Sequence, residues 1–480
     1  MLKLFTRVFW DVVARLILRN KIAILIGILI VTVLFGTQWK NMRFTYTEAN
    51  LLPDHHEVNQ TYNRFLDIFG EEGNLIILGV KDSSLFTVEK FKALDELSKQ
   101  LKSHPEVETV LSITDLQKLV KEDSIQKFKL EPFIKDSLVS VAQIETLQKE
   151  LFEQYPFYDN FLFNKQSQTV RTAVYLKKDI VNTSIRKDFI LQTLKEDIER
   201  FEETTKLDVR VSGMPYIRTL NSQNIVDEIG IFIAAALLVT SLIFFMFFRS
   251  FRATFISLIV VSVGVMWTFG IIGLLNYEIT VLTALIPPLI IVIGIPNCIF
   301  LINKYQHEVK SHGNKVKSLQ RVITKIGNAT LMTNVTTASG FATFILTESK
   351  LLKEFGLVAS LSILGIFLLC LLTIPIIYTF LPYPKERHLE HLNKRWIGGF
   401  VDWIERMVKE RRITIYLTAL ILIIAGIIGL YQIKISGSLL EDMPQDADFF
   451  HDIRFFEQEF DGIMPLEILV DTKRKKGVMT

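Results

Sequence analysis

Cysteine is scarce in this sequence, and so is any excess of charge. Only two cysteines occur in 480 residues, Cys298 and Cys370, and both lie inside apolar runs. Neither can staple a soluble domain, and their spacing is not that of a metal or redox motif. The 54 lysines and arginines nearly balance the 51 aspartates and glutamates. No basic face is left for nucleic acid, which we exclude as a partner.

Motifs for catalysis and for the use of ATP are also missing. The sequence contains no Gly-x-x-x-x-Gly-Lys-Ser/Thr phosphate loop and no nucleophile-base constellation. His55 and His56 are adjacent, but no cysteine or third histidine lies near them, so we expect no metal there. We therefore predict a protein that is not an enzyme and that carries no cofactor.

Apolar residues are abundant, at 49 % of the chain. A hydrocarbon core needs roughly 20 apolar residues for each helical crossing. Seven stretches meet or nearly meet this length: 21–39, 227–248, 253–275, 279–303, 328–348, 353–381 and 412–431. The first has a basic leader but no small-x-small cleavage site after it, so it predicts a retained anchor and not a signal peptide. The fold class is therefore a polytopic α-helical membrane protein.

The positions of lysine and arginine predict the orientation, because short cytoplasmic loops retain positive charge. The leader 1–20, the loop 249–252, the segment 304–325 and the linker 382–411 are rich in these residues, whereas the loop 276–278 has none. We predict a multi-pass protein of the cell inner (plasma) membrane with a cytoplasmic N-terminus 1–20 and a cytoplasmic basic linker 382–411. Residues 40–226 then lie on the outer side, before a five-helix bundle at 227–381.

The segment 40–226 is polar and alternates period-two apolar runs with helical stretches rich in Lys and Glu. It predicts strands at 74–81, 108–113, 169–177 and 208–213, and helices at 87–102 and 184–204. A helical insert around 115–160 separates the two β-α-β units. Such units form an α+β domain of ferredoxin-like type. An unrelated extracytoplasmic α+β domain is the alternative.

An internal repeat is the most informative pattern along the chain. A shift of 391 positions aligns Lys21 with Arg412, Pro53 with Pro444, and Phe65 with Phe456 without a gap. Each copy has a basic residue, an apolar crossing, a proline-containing link, an amphipathic helix and an apolar strand, at 75–80 or at 466–470. We predict a duplication whose second copy begins near 400. Residues 432–480 are then the start of a second extracytoplasmic domain, incomplete at Thr480, although two generic anchors could share such a pattern by chance.

Three segments carry a family resemblance. The fourth crossing contains Gly294-Ile295-Pro296-Asn297 and ends near Lys304-Tyr305, the fifth contains Thr333-Asn334-Val335-Thr336-Thr337, and Ser212-Gly213-Met214-Pro215 precedes the second. In these segments and in its layout, the sequence resembles transporters of the resistance-nodulation-division (RND) superfamily, of the MMPL, Patched and Niemann-Pick types with sterol-sensing bundles. The resemblance covers essentially the whole chain. It implies a porter-type outer domain and a bundle that moves hydrophobic or lipid-like molecules.

The sequence departs from this family at one position of chemical importance. Family members place an aspartate of a proton or cation relay where this chain has Pro296-Asn297, and asparagine cannot titrate. No Asp, Glu, Lys or Arg lies well inside any of the six central crossings. The candidate translocation or coupling residues are therefore Pro296, Asn297, Thr333, Asn334, Thr336 and Thr337.

Prolines suggest how this site is built. Pro287, Pro288 and Pro296 lack backbone donors, so we predict a helix break at Pro287 and Pro288 and an interruption near Pro296. Broken helices often flank translocation sites. We expect Asn297 beside such a break to face the hydroxyl-rich fifth crossing, where it could coordinate a cation or act as a hinge. The alternative is that the asparagines and threonines only hold helices together, as polar groups do in any membrane bundle.

We predict a secondary transporter or exporter of hydrophobic or lipid-like substrates, driven by an ion gradient. A non-pumping lipid sensor or scaffold of the sterol-sensing type is one alternative. A split half that needs a partner subunit is another. The expected partners are the lipid bilayer, a hydrophobic or lipid-like small molecule, and a homo-oligomer copy or a missing second half. Substrate, coupling ion and oligomeric state stay open.

Overall fold

A computed structural model describes residues 2–44, 55–69, 73–122, 127–132, 141–248, 250–383, 395–433 and 447–462. Its α-helices are α1 Leu2–Arg19, α2 Lys21–Thr37, α3 Glu57–Phe69, α4 Val88–Ser103, α5 Val141–Gln154, α6 Ser184–Asp188, α7 Lys195–Thr205, α8 Met214–Phe248, α9 Phe251–Leu274, α10 Val281–Ala284, α11 Ile286–His312, α12 Lys315–Ala342, α13 Lys350–Phe380, α14 Arg395–Glu410, α15 Arg412–Tyr431 and α16 Asp448–Phe460. Its strands are β1 Arg43–Phe44, β2 Leu75–Val80, β3 Val107–Leu111, β4 Gln117–Glu122, β5 Lys127–Pro132, β6 Phe163–Asn164, β7 Thr169–Leu176, β8 Arg210–Ser212 and β9 Glu278–Ile279.

The chain divides into two compact units. The first contains residues 1–45, 49–53 and 225–437, and the second contains residues 46–48, 54–224 and 438–480. Within its described residues, the first unit is helical apart from the short parallel pair β1–β9. The second unit contains a mixture of helices and strands.

Long apolar helices define the first unit. Among the described residues, six are long and apolar enough to cross a membrane: Lys21–Asn41, Met214–Met246, Phe251–Leu274, Val281–Ser311, Lys350–Phe380 and Arg412–Tyr431. A helix satisfies its backbone hydrogen bonds internally, which hydrocarbon requires of any segment that spans it. The protein is therefore a polytopic helical membrane protein, as the sequence predicts.

Helix α12 contains most of the predicted crossing 328–348 but is not one of these six helices. Two asparagines and four threonines between positions 325 and 342 lower its hydropathy. It packs against α1, α11 and α13 and ends in a 3-10 turn, Thr343–Leu346. The seven-crossing layout and the domain bounds drawn from it stay predictions.

The basic leader, predicted only as a cytoplasmic N-terminus, forms a helix, α1. Trp10, Ala14 and Ile17 form its buried face, at spacings that place them on one side of a helix. Gly327 of α12 leaves room for this contact, because a Cβ there would lie only 2.5 Å from Trp10 Cζ3. Helix α1 is thus packed against the bundle.

An antiparallel sheet forms the centre of the second unit. Its strands lie in the order β3-β7-β2-β8, the order of a split β-α-β fold of ferredoxin-like type. Along β2, Ile76, Leu78 and Val80 face a core formed with helices α4 and α7. Ile77 points to the opposite face, where α16 packs. Both faces of β2 are therefore covered, which explains its continuous apolar sequence.

The insert around 115–160 is only partly helical, contrary to the prediction. Strands β4 and β5 form an antiparallel hairpin, and a helix, α5, follows. Ile144, Leu147 and Leu151 of α5 join the core at helical spacing. The hairpin was missed although β5 carries a strand pattern, in which Phe128 and Leu130 alternate with lysine and glutamate.

Gly213 joins the sheet to helix α8. Strand β8 ends at Ser212, and α8 begins at Met214. Gly213 has φ +111°, and a Cβ there would lie 2.2 Å from the carbonyl oxygen of Leu75. Only glycine fits this turn, so the Ser212-Gly213-Met214-Pro215 segment has a structural requirement of its own.

The helix bounds agree with the predicted repeat. The 391-residue shift carries the start of α2, Lys21, onto the start of α15, Arg412, and it carries α3 onto α16 at both ends. It also carries the end of α1, Arg19, onto the end of α14, Glu410. The predicted strand 466–470 and the links at Pro53 and Pro444 lie outside the described residues.

Helix α16 should depend on Phe456 for its place on the sheet, because this side chain is fully buried against Ile77. Phe456→Ala removes a buried aromatic ring, a change that typically costs about 3–5 kcal/mol. We expect the amides of Asp448–Phe460 to exchange hydrogen at least tenfold faster in the variant, as measured by mass spectrometry. Gln458→Ala, at an exposed position of the same helix, is the control and should leave exchange unchanged. Equal exchange in the two variants would contradict this role of Phe456.

Candidate functional site

Asn297 and Asn334 form a reciprocal amide pair between α11 and α12. Asn297 Nδ2 donates to Asn334 Oδ1 at 3.0 Å, and Asn334 Nδ2 donates to Asn297 Oδ1 at 2.8 Å. Each amide also donates to a carbonyl of its own helix, that of Ile293 at 3.4 Å or of Thr330 at 2.8 Å. Both side chains are buried, at 5 % and 2 % exposure. Neutral hydrogen bonds thus join α11 and α12, which correspond to the fourth and fifth predicted crossings.

The threonines of α12 do not reach this pair. Thr333 and Thr336 are exposed, and Thr337 is half-buried. Their hydroxyls donate to carbonyls one turn earlier on the same helix, those of Ala329, Met332 and Thr333. Of the candidate residues on α12, only Asn334 contacts Asn297, because the helix turns the threonines to other sides.

The prolines interrupt the fourth crossing at one end only. Helix α10 ends at Ala284, and α11 begins at Ile286, so Pro287 and Pro288 lie in the first turn, where a missing N–H leaves no helical bond unmade. Pro296 lies inside α11, which continues through it to His312. The interruption expected near Pro296 is not present, and Asn297 lies on a continuous helix. Pro296 leaves one backbone hydrogen bond of α11 unmade, and the hydrogen bonds on both sides of it keep the helix continuous.

The two cysteines meet, which sequence spacing did not reveal. Cys298, next to Asn297, has its Sγ 3.6 Å from Sγ of Cys370 on α13. Both thiols are fully buried and free. One end of the fourth crossing therefore contacts α12 through an amide pair and α13 through a thiol pair.

A buried carboxylate was also missed. The Glu308 side chain on α11 is only 4 % exposed, and it forms ion pairs with Lys304 Nζ at 3.3 Å, Arg321 Nη1 at 3.3 Å and Lys325 Nζ at 3.0 Å. The sequence showed these bases as a charged segment with a single acid. Helix α11 extends to His312 and α12 begins at Lys315, so the basic segment forms a helical hairpin. The ion pairs of Glu308 join the two helices of this hairpin.

Several buried hydroxyls of the bundle have no hydrogen-bond partner among the described residues. They include Thr254 and Ser257 on α9, Tyr305 on α11, and Ser362 and Thr373 on α13. Buried polar groups normally bind protein or water, so these positions suit water or a polar group of a passing molecule. No cluster of three or more metal-ligating His, Cys, Asp or Glu side chains occurs in the described part of the chain.

The chemistry available at the amide pair is limited. Neither asparagine can exchange a proton, and each amide oxygen already accepts a hydrogen bond from the other. The pair can hold α11 and α12 at a fixed distance, or release them together. It cannot by itself serve as the proton-accepting group of a relay.

Comparisons with known proteins agree with this architecture. The chain is 25 % identical over 382 residues to a membrane protein of Methanocaldococcus jannaschii. The aligned region covers 78 % of this chain and 93 % of that protein. It is also 23 % identical over 438 residues to the apo-petrobactin exporter of Bacillus anthracis, which covers 84 % of this chain and 53 % of the exporter. This chain thus spans about half the length of the exporter.

A family model places these similarities in one group. The model of the MMPL family matches residues 50–408, which is more than half of the chain. The match includes the sheet of the second unit, the amide pair and the thiol pair. The protein therefore belongs to the MMPL family of membrane transporters.

Proposed function

We propose that this protein is a secondary transporter that exports hydrophobic or lipid-like molecules across the inner membrane, driven by an ion gradient. Membership of the MMPL family is the observation that carries the proposal. A second support is the relative whose name describes it as an apo-petrobactin exporter. The absence of a phosphate loop from the sequence favours a gradient over ATP.

The proposed orientation places the N-terminus in the cytoplasm and the α+β unit outside. The bases of the leader and those around Glu308 support it, because lysine and arginine remain on the cytoplasmic side. In this arrangement the α+β unit gathers or releases substrate, and the helices carry the conformational change.

The amide pair is proposed as the hinge between α11 and α12. In a dry bundle two amides that satisfy each other form a discrete contact, which is either made or broken. The unpartnered hydroxyls on α9 and α13 provide further polar positions inside the bundle. The proton- or cation-binding carboxylate then belongs to a second bundle.

Two observations support the alternatives. The neutral amide pair at the family's relay position favours a lipid sensor or scaffold that does not pump. The exposed face of α12, with Thr333, Thr336 and Gly340, favours a partner bundle, because small residues let helices approach closely. That partner is a second copy or a second half.

Gradient dependence distinguishes export from sensing. In inside-out membrane vesicles that contain the full-length protein, we expect an imposed proton gradient to increase uptake of a fluorescent phospholipid at least twofold over vesicles treated with a protonophore. Vesicles without the protein give the background. Saturable binding with equal uptake in both conditions would support the sensor instead.

The two asparagines can be tested as a pair. Asn297→Leu leaves Asn334 buried without its partner, a loss of about 1–3 kcal/mol, and we expect lower thermal stability and at least tenfold slower transport. Thr418→Val on α15 is the matched control, since this exposed hydroxyl donates to carbonyls of its own helix.

The double variant Asn297→Leu/Asn334→Leu separates packing from function. Replacing both partners removes the unsatisfied group, so the thermal stability should recover. We expect transport to stay slow, because an apolar contact has no hydrogen bonds to make and break. Recovery of both stability and transport would show that the amide pair contributes only to helix packing.

Oxidation of the thiol pair to a disulfide would reversibly cross-link α11 to α13. Diamide takes two hydrogens from Cys298 and Cys370 and becomes a hydrazine, and the sulfurs must close from 3.6 Å to about 2.05 Å. If α11 moves against α13 during transport, oxidation should stop transport and dithiothreitol should restore it. Cys298→Ser should be insensitive to diamide. Full activity of fully cross-linked protein would show that this interface stays rigid.

A further inference from the structure

Two lysine side chains lie together at the end of helix α13. Lys315, the first residue of α12, donates from Nζ to the carbonyl oxygen of Thr379 at 2.7 Å and also to that of Leu381. Lys21, the first residue of α2, has its Nζ 4.6 Å from the centre of the Phe380 ring. Both ammonium groups are thus held beside the same three consecutive residues of one helix end.

These two lysines have no acidic partner among the described residues. Neither forms an ion pair with a carboxylate there. Burial, and after it the positive charge of Lys21, lowers the pKa of Lys315 below its ordinary value. Both side chains are half-buried, so the repulsion between like charges is screened less than it would be in open water. An anion bound by both ammonium groups would offset this repulsion.

The two ammonium groups also have donors left to offer. A lysine ammonium has three N–H donors, and Lys315 gives two of them to carbonyl oxygens. Lys21 contacts described residues only through the ring of Phe380, so its three donors bind no described acceptor. Four N–H groups therefore remain for one anion. A phosphate group fits this arrangement, because it presents several strong acceptor oxygens within a small volume.

This end of α13 lies at a membrane surface. Lys21 is the first residue of one apolar span, and Phe380 is the last residue of another. The ring centre of Tyr383 lies 6.0 Å from Lys315 Nζ, and tyrosine is a residue enriched at the boundary between membrane and water. The phosphate groups of phospholipids lie at this same boundary, so the bilayer itself brings them to the two lysines.

Helix α2 provides an apolar surface that begins one residue after Lys21. Ile22, Ile26 and Leu29 lie on one side of this helix, and all three are exposed. No residue of α2 is buried. A hydrocarbon chain can therefore lie along α2 while the phosphate attached to it stays at Lys21. This surface favours a phospholipid over free phosphate, which would leave it uncovered.

We propose that Lys21 and Lys315 bind the phosphate group of one anionic phospholipid where α2, α12 and α13 meet. The proposed cytoplasmic N-terminus places this lipid in the inner leaflet. Bound there, the lipid joins the first turns of α2 and α12 to the end of α13 and stabilises this corner of the bundle. The inference concerns a lipid held at the rim of the bundle and is independent of what is transported.

Native mass spectrometry of the full-length protein in detergent tests this site, with phosphatidylglycerol as the probe. We expect one phosphatidylglycerol to remain bound where phosphatidylcholine does not, because choline would bring a third positive charge to the lysines. Lys21→Gln should weaken this binding about fivefold, the contribution of one lysine near an anionic lipid surface. Lys21→Arg keeps the charge and should retain the binding.

Lys317→Gln is the matched control, because Lys317 is an exposed lysine at the same end of α12 and the change in charge is the same. It should bind phosphatidylglycerol as the unchanged protein does. Equal weakening by Lys21→Gln and Lys317→Gln would show a general attraction of charge and would overturn the proposal. Unchanged binding in Lys21→Gln would also overturn it.

Two further measurements separate a lipid from a free anion and locate the bound molecule. A large excess of inorganic phosphate should leave phosphatidylglycerol bound, and displacement would show that the site takes the free anion. In liposomes, a phosphatidylglycerol with a photoreactive diazirine in its acyl chain should label residues 22–29 of α2 in the unchanged protein and at least about fivefold less in Lys21→Gln. Equal labelling would overturn the proposal. None of these experiments measures transport, so their failure would leave the proposed export untouched.

Discussion

Hydrocarbon offers no hydrogen-bond partners, and this constraint governs the helix backbones, the threonines of α12 and the asparagine pair. The long helices satisfy their backbones internally. Thr333 and Thr336 satisfy their hydroxyls on their own helix, and Asn297 and Asn334 satisfy each other across two helices. The amide pair is thus one place where the described helices are joined by a specific polar contact. Its Asn297 lies where the resemblance to RND transporters implies a titratable aspartate.

The chain contains the same arrangement of helices twice. Helices α15 and α16 begin 391 residues after helices α2 and α3, respectively. The sheet of the second unit is nevertheless incomplete without α16, since Ile77 packs on Phe456. A duplicated chain in which a helix of one copy completes the sheet of the other links its two halves mechanically, and such a link suits a transporter whose domains must move together.

Local patterns in the sequence predicted much of the fold, because periodicity and apolar length are local properties. The strands β2, β3, β7 and β8 and the helices between them lie within a few residues of their predicted positions. Contacts between distant segments could not be predicted. Lys81 and Glu459 are 378 residues apart, and Cys298 and Cys370 are 72 residues apart. Nothing in the residue types at these positions identifies the partner.

The candidate site illustrates the same limit. The sequence indicated that Asn297 faces the helix that carries Asn334, but not which side of that helix is presented. Packing against α1, α11 and α13 fixes the rotation of α12, and this rotation turns Thr333 and Thr336 away. The effect of Pro296 was overestimated, because a proline inside a long helix removes one hydrogen bond and the remaining bonds hold the helix together.

The proposed export couples substrate movement through this protein to the movement of an ion. The most direct measurement is the reverse reaction in sealed proteoliposomes without an imposed gradient, with a trapped pH-sensitive dye to record proton movement. If export is proton-coupled, a downhill gradient of the transported lipid must drive protons across the membrane, and a pH change should appear only in vesicles that contain the protein. Lipid movement with no accompanying pH change, also in the absence of other transportable cations, would contradict the account.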